Sequence, residues 1–503
     1  MTAAPHGLAR HVVLAVALAV YVAGVAFVAA RHEPWRDEAG AWLVARDASP
    51  AELFFLTRYV GTPALSYLVH MPLAKAGLPY ASAKVVHVAT AAAAVAVLLW
   101  AAPLPLVTRL AVAFSYPVAY EFGVLVRPYA LLMLVLFAVA ALWPARARRP
   151  LAFAALVALL MNVTVHGLIL GLAIGAVALH DALLGDARPW PPRRGPALAL
   201  AIMGAGVLLA LAQLVPVGAT TIPTWLAPVN PRAAHRVFGE LWGAPGGSRQ
   251  PRWAGIDLGL PRGPGDWAAL DRTGVPLYLA VGTVVLTSVS WWRRRRILAI
   301  FAAGTAGLLY VYVFKWYGGV RHAGMLFLLL VFCLWIEAGE PAPSPSPRLR
   351  RAARILLHAG LLVSLAFSVA AASWDARYPY SHGLGMARYL LAHGLAGREI
   401  GADGASASVL VHLPAGTRFW YLDKGAYGTH HEWEPRRRGR DTVLLRRAEL
   451  ELFARATRGE LLVLYWPLPD AVQRGYALLY ALDGPVGLSD ERFYLYRPIA
   501  PGS

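Results

Sequence analysis

The chain has 503 residues, of which 58% are hydrophobic and only 15% are charged. A soluble globular chain carries about 25% charged residues, so the composition excludes an ordinary soluble protein and places most of the chain in lipid. The formal net charge is +19. The basic residues lie in short clusters between apolar segments, a pattern typical of membrane topology and not of nucleic-acid binding. With one cysteine, Cys333, the chain forms no internal disulfide.

Apolar segments of spanning length recur along the chain. The first, 11–30, is long enough to cross a hydrocarbon core of about 30 Å and longer than the core of a cleaved signal peptide, about 7–15 residues. Ten more follow, at 82–102, 104–121, 124–143, 150–165, 167–184, 197–217, 273–292, 297–314, 321–338 and 354–373. The sequence therefore predicts an all-α polytopic membrane bundle of about 11 transmembrane helices.

Directly after the first segment, acidic, basic and aromatic side chains crowd together in the stretch Glu33-Pro34-Trp35-Arg36-Asp37-Glu38. Two adjacent carboxylates at a membrane surface suit a general base or a metal site, although a solvated loop with an interfacial tryptophan has the same composition. Pro34 and the apolar spacing of Ala39, Trp42 and Leu43 predict a helix that begins near Asp37. Residues 62–78 are apolar but interrupted by prolines, and we expect them to lie along the membrane surface.

The arginine clusters predict the orientation. They follow the fourth, sixth, eighth and tenth apolar segments, at Arg146, Arg148 and Arg149, at Arg188, Arg193 and Arg194, at Arg293 to Arg296, and at Arg348, Arg350, Arg351 and Arg354. Because basic loops stay in the cytoplasm, the N-terminus is predicted inside and the C-terminal region outside the inner (plasma) membrane. The outer face then includes the first outer loop, 31–81, and the loop 218–272.

Residues 1–373 form the predicted transmembrane domain, and residues 374–503 a small extracytoplasmic α/β domain. In the latter, helices are predicted at 383–396, 447–458 and 469–482, and strands at 405–413, 461–466 and 492–497. This domain has no glycine-rich phosphate loop and no metal-ligand spacing, so we expect it to be accessory.

Two further groups of polar residues lie on the predicted outer face. They are Glu121, Arg127 and Tyr129, between the third and fourth segments, and Lys315, Arg321 and His322, between the ninth and tenth. Cations and a histidine around glycines suit a phosphate. Pairing of Glu121 with Arg127, and snorkelling of Lys315 and Arg321, are the structural alternatives. At the end of the fifth segment, Asn162, Thr164 and His166 are interpreted as polar helix contacts.

The order and sidedness of these motifs resemble the GT-C superfamily of polytopic glycosyltransferases that use polyprenyl-phosphate sugars. This superfamily includes protein O-mannosyltransferases, the lipid A aminoarabinose transferase and bacterial glycosyltransferase family 39-like proteins. Asp37-Glu38 matches the acidic pair of their first outer loop, Gly61 to Tyr67 their loop helix, and Val126 to Tyr129 their aromatic-rich turn. The chain has Thr62-Pro63 where such loops often read His-Pro. The resemblance covers the membrane portion of the chain.

The resemblance implies an inverting transfer of a hexosyl or pentosyl group from a polyprenyl-phosphate donor to an extracytoplasmic glycan, lipid or protein of the cell envelope. Asp37 would be the base and Glu38 its assistant. The substrate-binding residues would be Glu121, Arg127, Tyr129, Lys315, Arg321 and His322. Membrane lipid is the other expected partner, and no nucleic acid is expected. No cofactor is certain, and a divalent cation held by Asp37 and Glu38 stays open.

The alternative is a polytopic transporter or lipid flippase without covalent chemistry. Transporters place ionisable residues near the bilayer midplane on broken helices, whereas the ionisable groups of this chain collect at one face. A structural or assembly protein of the membrane, in which the acidic pair is incidental, is a third possibility. The pattern favours the transferase.

The predicted topology is testable with a reporter fused after Ser503. Because the four arginine clusters fall on one side, we expect alkaline phosphatase fused there, which requires export, to be active. Green fluorescent protein at the same position should be dark. Fluorescence of the second fusion with no phosphatase activity of the first would overturn the orientation.

Overall fold

The computed structural model describes residues 5–184, 194–215, 236–243, 274–315, 319–340, 346–432, 442–457, 460–468, 470–486, 489 and 491–499. The chain is mostly helical, at 68%, with a small C-terminal sheet. It divides into two compact units. The helical unit comprises Met1–Ala29, Gly61–Ser66 and Lys84–Ser373, and the sheet unit comprises Ala30–Val60, Tyr67–Ala83 and Trp374–Ser503. The sheet unit thus joins most of residues 31–81 to the C-terminal region.

In chain order, the helices are α1 (Pro5–Arg31), α2 (Arg36–Asp47), α3 (Pro50–Leu56), α4 (Leu65–Lys75), α5 (Ala81–Ala101), α6 (Leu106–Ala113), α7 (Tyr129–Leu142), α8 (Pro150–Met161), α9 (Val165–Leu184), α10 (Arg194–Leu214), α11 (Val275–Ser290), α12 (Arg295–Phe314), α13 (Val320–Gly339), α14 (Pro347–Asp375), α15 (Gly383–Ala392), α16 (Ala407–Leu410) and α17 (Thr442–Ala456). Every predicted apolar segment overlaps one of them. Several predicted features lie outside the described residues: Arg188, Arg193 and the loop 218–272 apart from 236–243.

Seven helices in the described ranges are long and apolar enough to cross a membrane, namely α1, α5, α9, α10, α12, α13 and α14. Shorter apolar helices occur at α7, α8 and α11. The segment 104–121 is divided, because α6 ends at Ala113 and a separate π-helical turn, Tyr116–Glu121, follows. These helices indicate a multi-pass membrane protein, whereas the count of about 11 spans is not confirmed.

Helices α8 and α10 approach each other closely at small residues. Gly206 faces Ala158, and the Asn162 amide nitrogen donates to the carbonyl oxygens of both, each at 2.9 Å. Gln213 on α10 accepts from the Ala64 backbone N–H at 2.9 Å. Small residues let two backbones approach, and side-chain amides then satisfy polar groups that lipid leaves unsolvated. The prediction that Asn162 makes a polar helix contact is confirmed.

The sheet unit contains six strands in the order β3-β2-β1-β4-β6-β5. They are β1 (Ile400–Ala402), β2 (Phe419–Tyr421), β3 (Ala426–Gly428), β4 (Leu461–Leu464), β5 (Tyr476–Leu482) and β6 (Phe493–Pro498). β1 pairs in parallel with β2 and with β4, and the other pairs are antiparallel. Parallel and antiparallel pairs beside helices α15 and α17 make this a small α/β fold.

Two predictions for this unit are wrong. Residues 405–413 do not form a strand, because Asp403 caps a helical turn there: its Oδ1 accepts from the backbone N–H groups of Ala405, at 2.9 Å, and Ser406, at 3.1 Å. Within the predicted helix at 469–482, residues 476–482 instead form edge strand β5, which pairs with β6 from Tyr476 to Leu482. Pairing with a neighbouring strand overrides the helical preference of its alanines and leucines.

Helix α2 belongs to the core of the sheet unit. Ala39 and Leu43, four residues apart on one face of the helix, are fully buried in the same hydrophobic cluster as residues of the sheet and of α15, among them Met386, Ile400 and Phe419. An apolar stripe at this spacing is what directs a helix onto a core. The acidic pair in the first turn of α2 is therefore held by a packed element and not by a loose loop.

The contact between α8 and α10 predicts a sharp difference between two glycines of α10. A Cβ atom at Gly206 would lie 2.7 Å from the Cβ and 2.9 Å from the Cα of Ala158, whereas one at Gly204 would meet nothing within 4 Å. Gly206→Ala should cost about 1–3 kcal/mol of stability through overpacking, with a matching fall in thermal stability in detergent. Gly204→Ala is the matched control and should unfold like the native protein. Equal unfolding temperatures for the two variants would contradict this close contact.

Candidate functional site

The first turn of α2 separates the two predicted carboxylates. α2 begins at Arg36, as the sequence pattern predicts, with Trp35 in an extended conformation at its N-cap. Asp37 is half-exposed, whereas Glu38 is buried, with 1% of its surface exposed. Consecutive residues on a helix point about 100° apart, which gives neighbouring carboxylates different surroundings. Both negative charges also lie where the helix dipole favours them.

Glu38 is one end of a buried carboxylate–imidazole–carboxylate bridge. His32 Nε2 lies 2.8 Å from Glu38 Oε2, and His32 Nδ1 lies 2.8 Å from Asp375 Oδ2. The side chains of all three residues have 0% exposure. Burial lowers the pKa of His32, but the charges of Asp375 and Glu38 and their hydrogen bonds outweigh it and raise the pKa to about 10. The ring is therefore an imidazolium at neutral pH, donating to both acids.

A second contact holds the same turn from the other side. The backbone N–H of Arg36 donates to Glu491 Oε1 at 2.9 Å, and the Arg36 guanidinium lies 3.7 Å from that oxygen. Ser381 donates its hydroxyl to Glu491 Oε2 at 2.8 Å. Burial raises the pKa of Glu491 to about 7, against the opposing effects of the Arg36 charge and these hydrogen bonds. A buried loop residue just before β6, Glu491, thus anchors the acidic turn.

In the helical unit, Tyr129 and His322, which were predicted from separate loops, lie together with His166 and Tyr312. We call these four residues the imidazole cluster. The ring centroids of His166 and His322 are 5.2 Å apart, and Tyr129 lies 6.3 Å from His166 and 6.4 Å from His322. The Tyr312 hydroxyl donates to the backbone oxygen of His322 at 2.7 Å. The cluster therefore joins the beginnings of α7, α9 and α13 to the end of α12.

The imidazole cluster has unused hydrogen-bonding capacity. His166 is only 5% exposed. Within the described part of the chain, both ring nitrogens of His166 lack a hydrogen-bond partner. Nδ1 of His322 also lacks one among these residues. Buried polar atoms are nearly always satisfied, so these ring nitrogens are available to hydrogen-bond to a bound water or to a ligand. Arg321 and Arg127 are close enough to His322 for their positive charges to interact with its ring electrostatically.

The helix geometry at the cluster favours an anion. Tyr129 is the first residue of α7, His166 the second of α9 and His322 the third of α13. The start of a helix carries partial positive charge and exposes N–H groups that lack partners within the helix. A phosphate would find favourable interactions here with three helix N-termini, two arginines and two imidazoles.

The structure gives two other predicted residues of the helical unit, Glu121 and Lys315, contacts outside the imidazole cluster. Glu121 ends the π-helical turn and accepts a hydrogen bond from the Tyr116 hydroxyl at 3.0 Å. Lys315 is the C-cap of α12, and its ammonium group lies 6.0 Å from the centre of the Tyr310 ring. The next three residues, 316–318, lie outside the described residues. The predicted roles of Glu121 and Lys315 in substrate binding stay predictions.

The proposed sites therefore divide between the two units. Asp37 and Glu38 belong to the sheet unit, and the other six predicted residues belong to the helical unit. In the parts of the chain that the structure describes, no group of three or more His, Cys, Asp or Glu side chains is arranged to hold a metal ion. The divalent cation stays a prediction.

Sequence reasoning missed the partners of the acidic turn. His32 immediately follows α1, and Asp375 is the last residue of α14, so both looked like ordinary residues at the ends of apolar segments. They are 343 positions apart. His166 was interpreted as a helix contact, but its nitrogens have no helix partner among the described residues. The one local signal was an ionisable residue at the very edge of each segment.

No protein-family model, no curated protein and no solved structure matches this chain.

The His32 bridge predicts a pH-dependent contribution to stability. The pKa of His32 is higher in the folded protein, about 10, than in an unfolded chain, near 6.5. Its contribution is therefore complete below pH 6.5 and is lost as the pH rises through about 10. His32→Gln should lower the unfolding temperature strongly at pH 6.5, and the difference from the native protein should shrink toward pH 10. The exposed His393→Gln variant is the control, and a difference for His32→Gln that does not change with pH would contradict the imidazolium.

Proposed function

We propose that the protein is an inner-membrane glycosyltransferase that moves a hexosyl or pentosyl group from a polyprenyl phosphate to an extracytoplasmic acceptor. The spans, about 11 in number, would hold the polyprenyl tail. The acidic turn of α2 would face the acceptor outside the cytoplasm. The proposal rests on the resemblance of the motifs to GT-C enzymes and on the chemistry of the described side chains.

The single observation that carries the proposal is the imidazole cluster with Arg127 and Arg321. Ionisable groups at a membrane edge are costly to place there, and they commonly mark a binding site or a substrate pathway. A polyprenyl phosphate combines an anionic head with an apolar tail, which suits a cationic cluster at the ends of apolar helices. Interactions with the phosphate that strengthen as it departs would lower the barrier of the transfer.

Asp37 is the proposed general base. It is half-buried at the start of a helix, whereas Glu38 is fully buried and its carboxylate accepts from His32 and from the Trp35 backbone N–H, at 3.3 Å. Of the acidic pair, Asp37 is thus the residue with access to solvent. Glu38 would assist by holding the turn.

In the proposed step, Asp37 accepts the proton of an acceptor hydroxyl. The acceptor oxygen then forms a bond to the anomeric carbon of the donor on the face opposite the phosphate. The bond between that carbon and the phosphate oxygen breaks, and its electron pair leaves with the polyprenyl monophosphate. This single displacement inverts the anomeric configuration. The proton on Asp37 is afterwards released to water.

The test combines donor turnover with binding of the product. Full-length protein in nanodiscs is incubated with a panel of polyprenyl-phosphate hexoses and pentoses and with cell-envelope extract as acceptor. Asp37→Asn should lower turnover about 10²–10⁴-fold, with the affinity for polyprenyl monophosphate little changed. Each of three charge-removing variants should weaken that affinity about 10- to 150-fold, because each loses one charge-assisted contact of about 1.5–3 kcal/mol. These variants are Arg127→Gln, Arg321→Gln and Lys315→Gln.

Two variants serve as matched controls. Asp47→Asn removes an exposed carboxylate at the other end of α2, where it pairs with Arg46 at 2.9 Å. Lys75→Gln removes an exposed cation at the end of α4. Both should leave turnover and binding unchanged. Near-normal turnover by Asp37→Asn would end the assignment of the base, and normal monophosphate binding by all three cation variants would end the phosphate site. Movement of the donor across the bilayer without a covalent product would favour a flippase.

A further inference from the structure

The bridge formed by Glu38, His32 and Asp375 connects three distant points of the chain. His32 is the first residue after α1, Glu38 is in the first turn of α2, and Asp375 ends α14. Both ring nitrogens of His32 are used, each at 2.8 Å. The Tyr380 ring packs against the imidazole with 4.4 Å between ring centroids. The ring therefore has a single orientation that satisfies its neighbours.

Stability alone is a poor reason for such a bridge. Removing three ionisable side chains from water carries a penalty of several kcal/mol for each charge, and apolar residues of similar volume often stabilise a core as well or better. A buried, fully hydrogen-bonded bridge restricts the relative orientation of the elements that carry its residues. Here it fixes the orientation of the first turn of α2.

We propose that His32 is a positioning residue, which through Glu38 and Asp375 fixes the first turn of α2 and thereby the direction in which Asp37 presents its carboxylate. This inference rests on the proposed function of Asp37 as the base. His32 is fully buried and touches no substrate. It acts through Glu38, which shares a helical turn with Asp37.

The contact between Arg36 and Glu491 makes the bridge effective. Arg36 precedes Asp37, and its backbone N–H is held by Glu491 at 2.9 Å. Glu38 follows Asp37 and is held by His32 at 2.8 Å. Asp37 thus lies between two anchored residues, Arg36 through its backbone N–H and Glu38 through its side chain, and both contacts restrain the turn that carries it. A reaction that needs an oxygen atom aligned with an acceptor hydroxyl depends on such restraint, because a displacement of about 1 Å can cost about 10²-fold in rate.

The test uses full-length protein in nanodiscs and the same polyprenyl-phosphate hexoses and pentoses as donors. His32→Gln provides one donor group for Glu38 but no donor for Asp375. We expect kcat to fall about 10- to 100-fold, with the KM for the donor unchanged within a factor of two. The double variant His32→Gln/Asp375→Asn restores the hydrogen-bonded bridge to Glu38, because the amide introduced at position 375 can donate to the side-chain oxygen introduced at position 32. This double variant should recover most of kcat.

A core variant separates positioning from general loss of stability. Leu390 is fully buried in the hydrophobic cluster of the same unit. Leu390→Ala should lower the unfolding temperature by at least as much as His32→Gln, while kcat per folded molecule stays near that of the native protein. If His32→Gln cannot be purified folded, Asp375→Asn replaces it, since it keeps an acceptor oxygen for the ring but removes one charge. The same loss confined to kcat is expected, in a milder form.

Combining His32→Gln with Asp37→Asn tells the two proposals apart. A residue that acts only through Asp37 adds no further loss once the Asp37 carboxylate is gone. Losses that multiply in the combined variant would overturn the positioning role. A normal kcat for His32→Gln together with an inactive Asp37→Asn would also overturn the positioning role. The proposed function would be unaffected by that result. Normal turnover by Asp37→Asn would instead remove the proposed function itself.

Discussion

Burial of one face of α2 in the core of the C-terminal sheet is the constraint on which the acidic turn depends. Ala39 and Leu43 supply that face, and both are fully buried. Once the face is buried, the polar start of the helix must lie at the edge of the same core, and its charges need partners there. His32 and Glu491 meet that need with short contacts. Packing thus sets the place of the acidic residues, and hydrogen bonding sets their direction.

Long apolar helices were the most predictable part of the fold, because a run of some twenty apolar residues in lipid has to satisfy its backbone hydrogen bonds internally. The sheet was harder. β1, from Ile400 to Ala402, is too short to show an alternating pattern, and its partners come from distant parts of the chain. The prediction of a strand at 405–413 missed that Asp403 caps a helical turn. The prediction of a helix over β5 followed local preference where pairing with β6 decides.

For the candidate site, the sequence predicted residue types near the helix ends, but not which of them meet. The start of α2 near Asp37 was predictable from Pro34 and from the apolar spacing behind it. The bridge through His32 was not, because a histidine after a span and an aspartate at the end of another carry no mutual signal in one sequence. The same holds for His166 and His322, which only the packing of α9 and α13 brings within 5.2 Å.

The distance along the chain between the parts of the sheet unit bears on how the protein is made. α2 leaves the ribosome early, but the residue that holds Arg36 follows 455 positions later. During synthesis the apolar face of α2 therefore stays unburied until the strands that follow α14 in the chain have been translated. Until then the acidic turn lacks both its core and its anchors, so a chain released early would carry these residues without their arrangement. An unfinished chain therefore exposes the apolar face of α2, and surfaces of this kind are prone to aggregation.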